Sequence, residues 1–167
     1  MRAALLLLAA AALASCGYSV GPPEPLAGAR TVSVPIFENR TYRRGIETDL
    51  ARQIASEVAS RSRLVLVDTG ADLVVQGTIV DVDESVLSEK EDQQIRESSV
   101  LVTAIVTVVD GRTGDSIVKQ KKLVQRESFV PGIGETVRSA RIEAMKRLAA
   151  DVVDLLEAPL QTGPAGR

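Results

Sequence analysis

Apolar and polar positions change period several times along the chain. Thr31 to Phe37, "TVSVPIF", alternates with β-branched residues and reads as a strand. Pro35 cannot donate to a ladder, so that strand is expected to end or fray there. Glu38 to Thr41 reads as a turn. From Ile46 to Ser60 the repeat lengthens: Ile46, Leu50, Ile54 and Val58 recur every four residues, with Ala51 and Ala55 beside them and Glu47, Arg52, Glu57 and Arg61 on the other side. This is an amphipathic helix, about 22 Å long at 1.5 Å per residue. Leu64 to Val67 is a short apolar strand.

Three longer strands follow. The first is Leu73 to Val82. The second, Ser99 to Val109, is apolar or Thr at nearly every position, the pattern of a central strand covered on both faces. The third, Ser116 to Arg126, follows a Gly- and Asp-rich hairpin turn at 110–115. Its Lys119, Lys121 and Lys122 suit an edge strand guarded against aggregation. Asp83 to Glu97, highly charged, reads as an extended, solvated connection. Glu135 to Glu157 is a second helix, with Val137, Ala140, Ala144, Leu148, Val152 and Leu155 inward. The order β-α-β-β-β-β-α predicts an α+β domain over 31–157. Two helices pack on one face of a mixed, largely antiparallel sheet of about four to five strands. The other sheet face then requires water, the charged loops or a partner.

The ends read differently. Arg2, the apolar run Ala3 to Ala12 and the small residues Ala14 and Ser15 form a signal peptide over 1–15. Leu13-Ala14-Ser15-Cys16 resembles the bacterial lipobox, which makes Cys16 the lipidation site, and by the same resemblance Gly17 favours the outer membrane. Stable anchoring takes more than one acyl chain. Residues 16–30, rich in Pro and Gly, read as a lipidated tether, and 158–167 as a disordered tail.

Composition narrows the chemistry. The 167 residues contain one Cys, so no internal disulfide forms, and no His, which excludes His-based triads and His-ligated metals. An enzyme is therefore not expected, nor a cofactor or metal. Aromatics are 2% and the formal net charge is −2, so the core is aliphatic and no global field draws nucleic acid. Asp81, Asp83 and Glu84 crowd one strand end and read as a solvated turn. Gly132-Ile133-Gly134 reads as a helix entry. Lys119, Lys121, Lys122 and Arg126 form a basic cluster in an acidic chain, an edge guard or a candidate site for a phosphorylated lipid head group. Simple alternation puts Lys119 and Lys121 on one face and Lys122 and Arg126 on the other.

Taken in order, several segments resemble the LptE family of lipopolysaccharide-assembly lipoproteins: Cys16-Gly17-Tyr18, Val34 to Thr41 ("VPIFENRT"), Ala71 to Ile79 ("ADLVVQGTI"), Val108-Val109-Asp110 with Thr113-Gly114, and Ala140 to Leu156. The resemblance implies a non-enzymatic outer-membrane lipoprotein, lipid-anchored and facing the periplasm. It would act as plug and assembly partner of the LptD β-barrel and help deliver lipopolysaccharide to the outer leaflet. It also implies that lipopolysaccharide binds basic residues, for which Lys119, Lys121, Lys122 and Arg126 are the candidates. "PIFENRT" and "ADLVVQGTI" are similar, too, to periplasmic lipoproteins related to the curli-secretion pore CsgG and to activators of cell-wall synthases, which work by oligomerisation or docking.

Overall fold

The computed structural model describes residues 25–88, 97–130 and 135–157. The signal peptide, Cys16, the first part of the tether, the tail, the centre of the charged connection and Gly132-Ile133-Gly134 lie outside these residues.

Six strands form one sheet: β1 (Thr31–Ser33), β2 (Glu38–Asn39), β3 (Val65–Leu66), β4 (Leu73–Ser88), β5 (Glu97–Asp110) and β6 (Ser116–Phe129). The helices are α1 (Ile46–Arg61) and α2 (Val137–Glu157). The sheet order is β3-β1-β4-β5-β6, with β2 also beside β4. β1 and β2 pair in parallel with successive parts of β4, at Val32↔Leu73 and Glu38↔Thr78. They are one line of chain interrupted around Pro35, which has no N–H to offer. β4, β5 and β6 form an antiparallel meander, so the sheet is mixed and the fold α+β, as the pattern predicts.

The sheet has six strands rather than four to five, and several boundaries differ from that prediction. Glu38 and Asn39 form β2 rather than a turn, because β4 offers them a partner at Thr78 and Ile79. The charged stretch from Asp83 is not all connection: β4 continues to Ser88 and β5 starts at Glu97. Asp81, Asp83 and Glu84 therefore stand in a paired strand and not in a solvated turn. Antiparallel pairing satisfies the backbone whatever the side chains are, so a polar strand is stable once its neighbour is placed.

The core lies between the sheet and the two helices. Ile46, Leu50, Ile54 and Val58 of α1 are buried with Val32, Leu73, Val75 and Ile79 of the sheet. Full burial of each such side chain contributes roughly 1.5–3 kcal/mol. α2 buries Met145, Ala149, Val153 and Leu156 in addition to the predicted Ala140, Ala144, Leu148 and Val152. Its apolar stripe is broad because it packs on both β5–β6 and α1. On β5, Val100, Val102, Ala104, Val106 and Val108 are at most 1% exposed. That is the helix-covered face; among the described residues no helix covers the other, although Ser99 and Thr103 on that side are buried by their neighbours.

Candidate functional site

The segments "VPIFENRT", "ADLVVQGTI" and "VVDGRTG" meet in space, and each contact is architectural. Phe37 is buried and its ring lies on Gly77, where an added Cβ would stand 2.6 Å from Phe37 Cδ2. Asn39 organises the chain before α1. Its Oδ1 accepts from Thr41 N (2.9 Å) and Thr41 Oγ1 (2.8 Å), while its Nδ2 donates to Arg43 O (2.6 Å) and Glu47 Oε2 (2.8 Å). Glu47 also receives Gly45 N at 3.2 Å. Its carboxyl is held below the usual range first by its own amide and then by the Asn39 side chain. Such bonds satisfy the free amides at a helix start and complement its dipole.

At the opposite end of the domain, Asp72 Oδ2 accepts from Arg30 N (2.9 Å), Thr31 N (3.1 Å) and Thr31 Oγ1 (3.1 Å). These bonds, that from Arg30 foremost, hold its carboxyl below its ordinary value. Asp110 Oδ1 accepts from Arg112 N (2.8 Å) and Thr113 N (3.2 Å) and is lowered in the same way. Gly111 N donates to Asp72 O at 2.8 Å, and a Cβ on Gly111 would overlap the Ala71 carbonyl oxygen. A polar cleft of about 240 Å³ opens here between Arg30, Asp72, Asp110 and Arg112. Its carboxylates are engaged by backbone amides, which favours their charged form and lowers their basicity. Among the described residues no group of three or more His, Cys, Asp or Glu could hold a metal.

The candidate surface is the open face of the sheet. Odd-numbered β6 residues from 121 to 129 face α2: Gln125 Nε2 donates to Asp151 Oδ2 (2.5 Å) and Glu127 Oε2 pairs with Arg147 Nη2 (3.2 Å). Lys122, Val124 and Arg126 therefore point to the open side. There they adjoin Ile105, Thr103 and Leu101 of β5. Arg126 Nη1 donates to Ser99 Oγ at 3.1 Å.

Alternation along β6 fails twice, at Ile117 between the Val109↔Ser116 and Val108↔Val118 pairs and again inside the basic cluster. Val118 pairs with Val108 and Lys121 with Val106, which leaves Thr107 opposite both Lys119 and Gln120. This is a β-bulge, with Gln120 at φ 42° and its N–H on Thr107 Oγ1 at 3.3 Å. The extra residue resets the faces. Lys119, Lys122 and Arg126 share the open face, and Lys121 stands alone on the helix side. The alternation reading of the cluster, two and two, is corrected to three and one. Neither Lys nor Gln side chains signal a bulge, so the sequence held no cue for it. Among the described residues none of the four makes an ion pair.

The centre of the open face alternates Leu101, Ile105 and Val109, half-buried, with Ser99, Thr103 and Thr107. Val124 is 45% exposed beside them. The β4 flank carries Asp81 and Asp83, both exposed, and Thr78, whose hydroxyl donates to Glu38 Oε2 at 3.1 Å. The face is thus neither uniformly polar nor a dry core. It has an apolar and hydroxyl centre with acids on one flank and bases on the other.

Known proteins share this architecture. The chain is similar in fold to hypothetical protein CT253 from Chlamydia trachomatis (TM-score 0.59, 16% identity, covering 80% of this chain and 99% of that one). Uncharacterized lipoprotein B from Nitrosomonas europaea gives TM-score 0.53 at 11% identity, over 85% and 91%. Protein XCC0632 from Xanthomonas campestris gives 0.52 at 8%, over 83% and 88%. At these identities the likeness is one of fold. No curated protein matches the chain. The family model described as "LptE: Lipopolysaccharide-assembly" matches residues 29–158, which spans the described domain.

Proposed function

The chain belongs to the LptE lipopolysaccharide-assembly family, and from that premise we propose that it is an outer-membrane lipoprotein that serves as plug and assembly partner of the LptD β-barrel. Membership makes it, at the coarser level, an envelope lipoprotein of lipopolysaccharide assembly. The observation that carries the finer reading is the extent of the match: it runs from the tether end through both helices, so the whole domain and not one motif is of the family type. The motifs agree, because Phe37, Asn39, Asp72, Gly77 and Gly111 all serve packing or backbone hydrogen bonds.

The protein acts by contact and not by chemistry. Its bonded carboxylates belong to the scaffold, and its sequence has no His. Acylation at Cys16 anchors it in the outer membrane, facing the periplasm. Lys119, Lys122 and Arg126 on the open face take the phosphates of lipopolysaccharide, which reward dense, unpaired cationic charge. Lys121, on the helix side, falls outside that group. The family match speaks for this reading over the pore-related or synthase-activator class. Depletion in cells tests it: mature barrel and surface lipopolysaccharide fall together if the reading holds, and unchanged levels of both contradict it.

A further inference from the structure

Charge on the open face is in register across the strands. One row reads Asp83, Leu101, Arg126 over β4, β5 and β6. Another reads Glu38, Thr78, Ile105, Lys122 over β2, β4, β5 and β6. Adjacent strands lie about 4.8 Å apart, so acid and base in a row stand about 10 Å or more from each other. Among the described residues no ion pair joins them.

The pattern is complementary to itself under one operation. A second copy rotated by half a turn about an axis along β5 lays its β4 over this β6 at the same height. The partner's Asp83 then meets Arg126, and the partner's Arg126 meets Asp83. Lys122 falls over the partner's Thr78, beside the partner's Glu38. Leu101 and Ile105 sit on the axis and meet their own copies. A twofold axis across the strands instead lays β6 on β6 and sets like charges together, which costs free energy. Aligned sheets stack about 10 Å apart at a crossing near −30°. Crossing at Leu101 keeps the ion-pair row in register, because all three residues belong to one row.

We propose that the open sheet face is an isologous interface between two copies of this chain, closed by reciprocal Asp83–Arg126 pairs around Leu101 and Ile105. Three strands of this length offer about 500 Å² of flat face per copy, which puts the total at the lower end of specific interfaces. The dimer is therefore reversible, and it removes half-buried Leu101, Ile105 and Val109 and exposed Val124 from water. The inference rests on the register of the face and not on the barrel partnership; because it engages Arg126 and Lys122, the dimer and bound lipopolysaccharide phosphates are alternative occupants of that face.

Native mass spectrometry of the full chain released from detergent micelles tests it. The unaltered protein is expected as a dimer. Asp83→Arg and Arg126→Asp each set like charges in contact and weaken the dimer at least tenfold. The double variant Asp83→Arg/Arg126→Asp restores opposite charges and the dimer with them, which also shows that the altered chains fold. A monomeric unaltered protein, single variants that dimerise normally, or a double variant no better than the singles would each overturn the proposal. Recovery of a barrel with the protein does not enter this readout.

Discussion

The ring of Phe37 lies on the backbone of Gly77, so that an added Cβ would come within 2.8 Å of Phe37 Cζ as well as of the ring edge. The contact locks β2 against β4 one residue before the Glu38↔Thr78 pairing begins. Two sequence motifs separated by α1 are thereby one packing unit.

Gly77→Ala is expected to overpack this contact and destabilise the domain by about 1–3 kcal/mol. Phe37→Ala empties the same space and costs about 3–5 kcal/mol. The two act on one contact, so the double variant is expected to be little worse than Phe37→Ala alone. Chemical denaturation of the four proteins measures the coupling; strict additivity would contradict the contact.

Asn39→Asp keeps the size of the side chain but replaces the amide that donates to Arg43 O and Glu47 Oε2. Two carboxylates then face each other at the start of α1. A loss of about 1–3 kcal/mol is expected at neutral pH. The added repulsion raises the folded pKa of the pair, so the loss shrinks as pH falls through the carboxylate range. Melting temperatures from pH 7 downward check both the size and the trend.

Asp72 gives the opposite pH signature. Its folded pKa is depressed by the amides of Arg30 and Thr31 and by the Thr31 hydroxyl, so its contribution is present above the ordinary carboxylate value and is lost as pH falls through the depressed one. Asp72→Asn is expected to melt below the unaltered protein at neutral pH and to converge with it in acid. A gap that stays constant with pH would show that the carboxylate charge is not what holds β1 to the start of β4.

The helices and long strands were legible in the sequence because their periods survive: Ile46, Leu50, Ile54 and Val58 are the buried face of α1 as spaced. The fold class followed from element order. What stayed hidden depends on partners distant in sequence. Glu38 is a strand residue only because Thr78 lies beside it, and Asp83 only because Leu101 does. The faces of the basic stretch were not legible, since one extra residue at Gln120 shifts the alternation of everything after it. The architectural duty of Asp72 and Asn39 likewise appears only when their amide partners are in place.

The bulge itself makes a sharp prediction. Deleting Gln120 removes the residue at φ 42° and leaves every later β6 side chain on its present face, so the fold survives with little change in melting temperature. Deleting Val124 shifts the remainder of β6 by one and turns buried Phe129 outward, which is expected to unfold the domain. Equal damage from the two deletions would mean that the bulge is not where the register places it.

The proposed partnership is a physical association with a barrel in the outer membrane. Its most direct test is affinity purification of the tagged full chain from detergent-solubilised envelope, with mass spectrometry of what is retained. An LptD-class β-barrel is expected in stoichiometric amount. Recovery of a cell-wall synthase or of a pore-like homo-oligomeric ring, with no barrel, would contradict it.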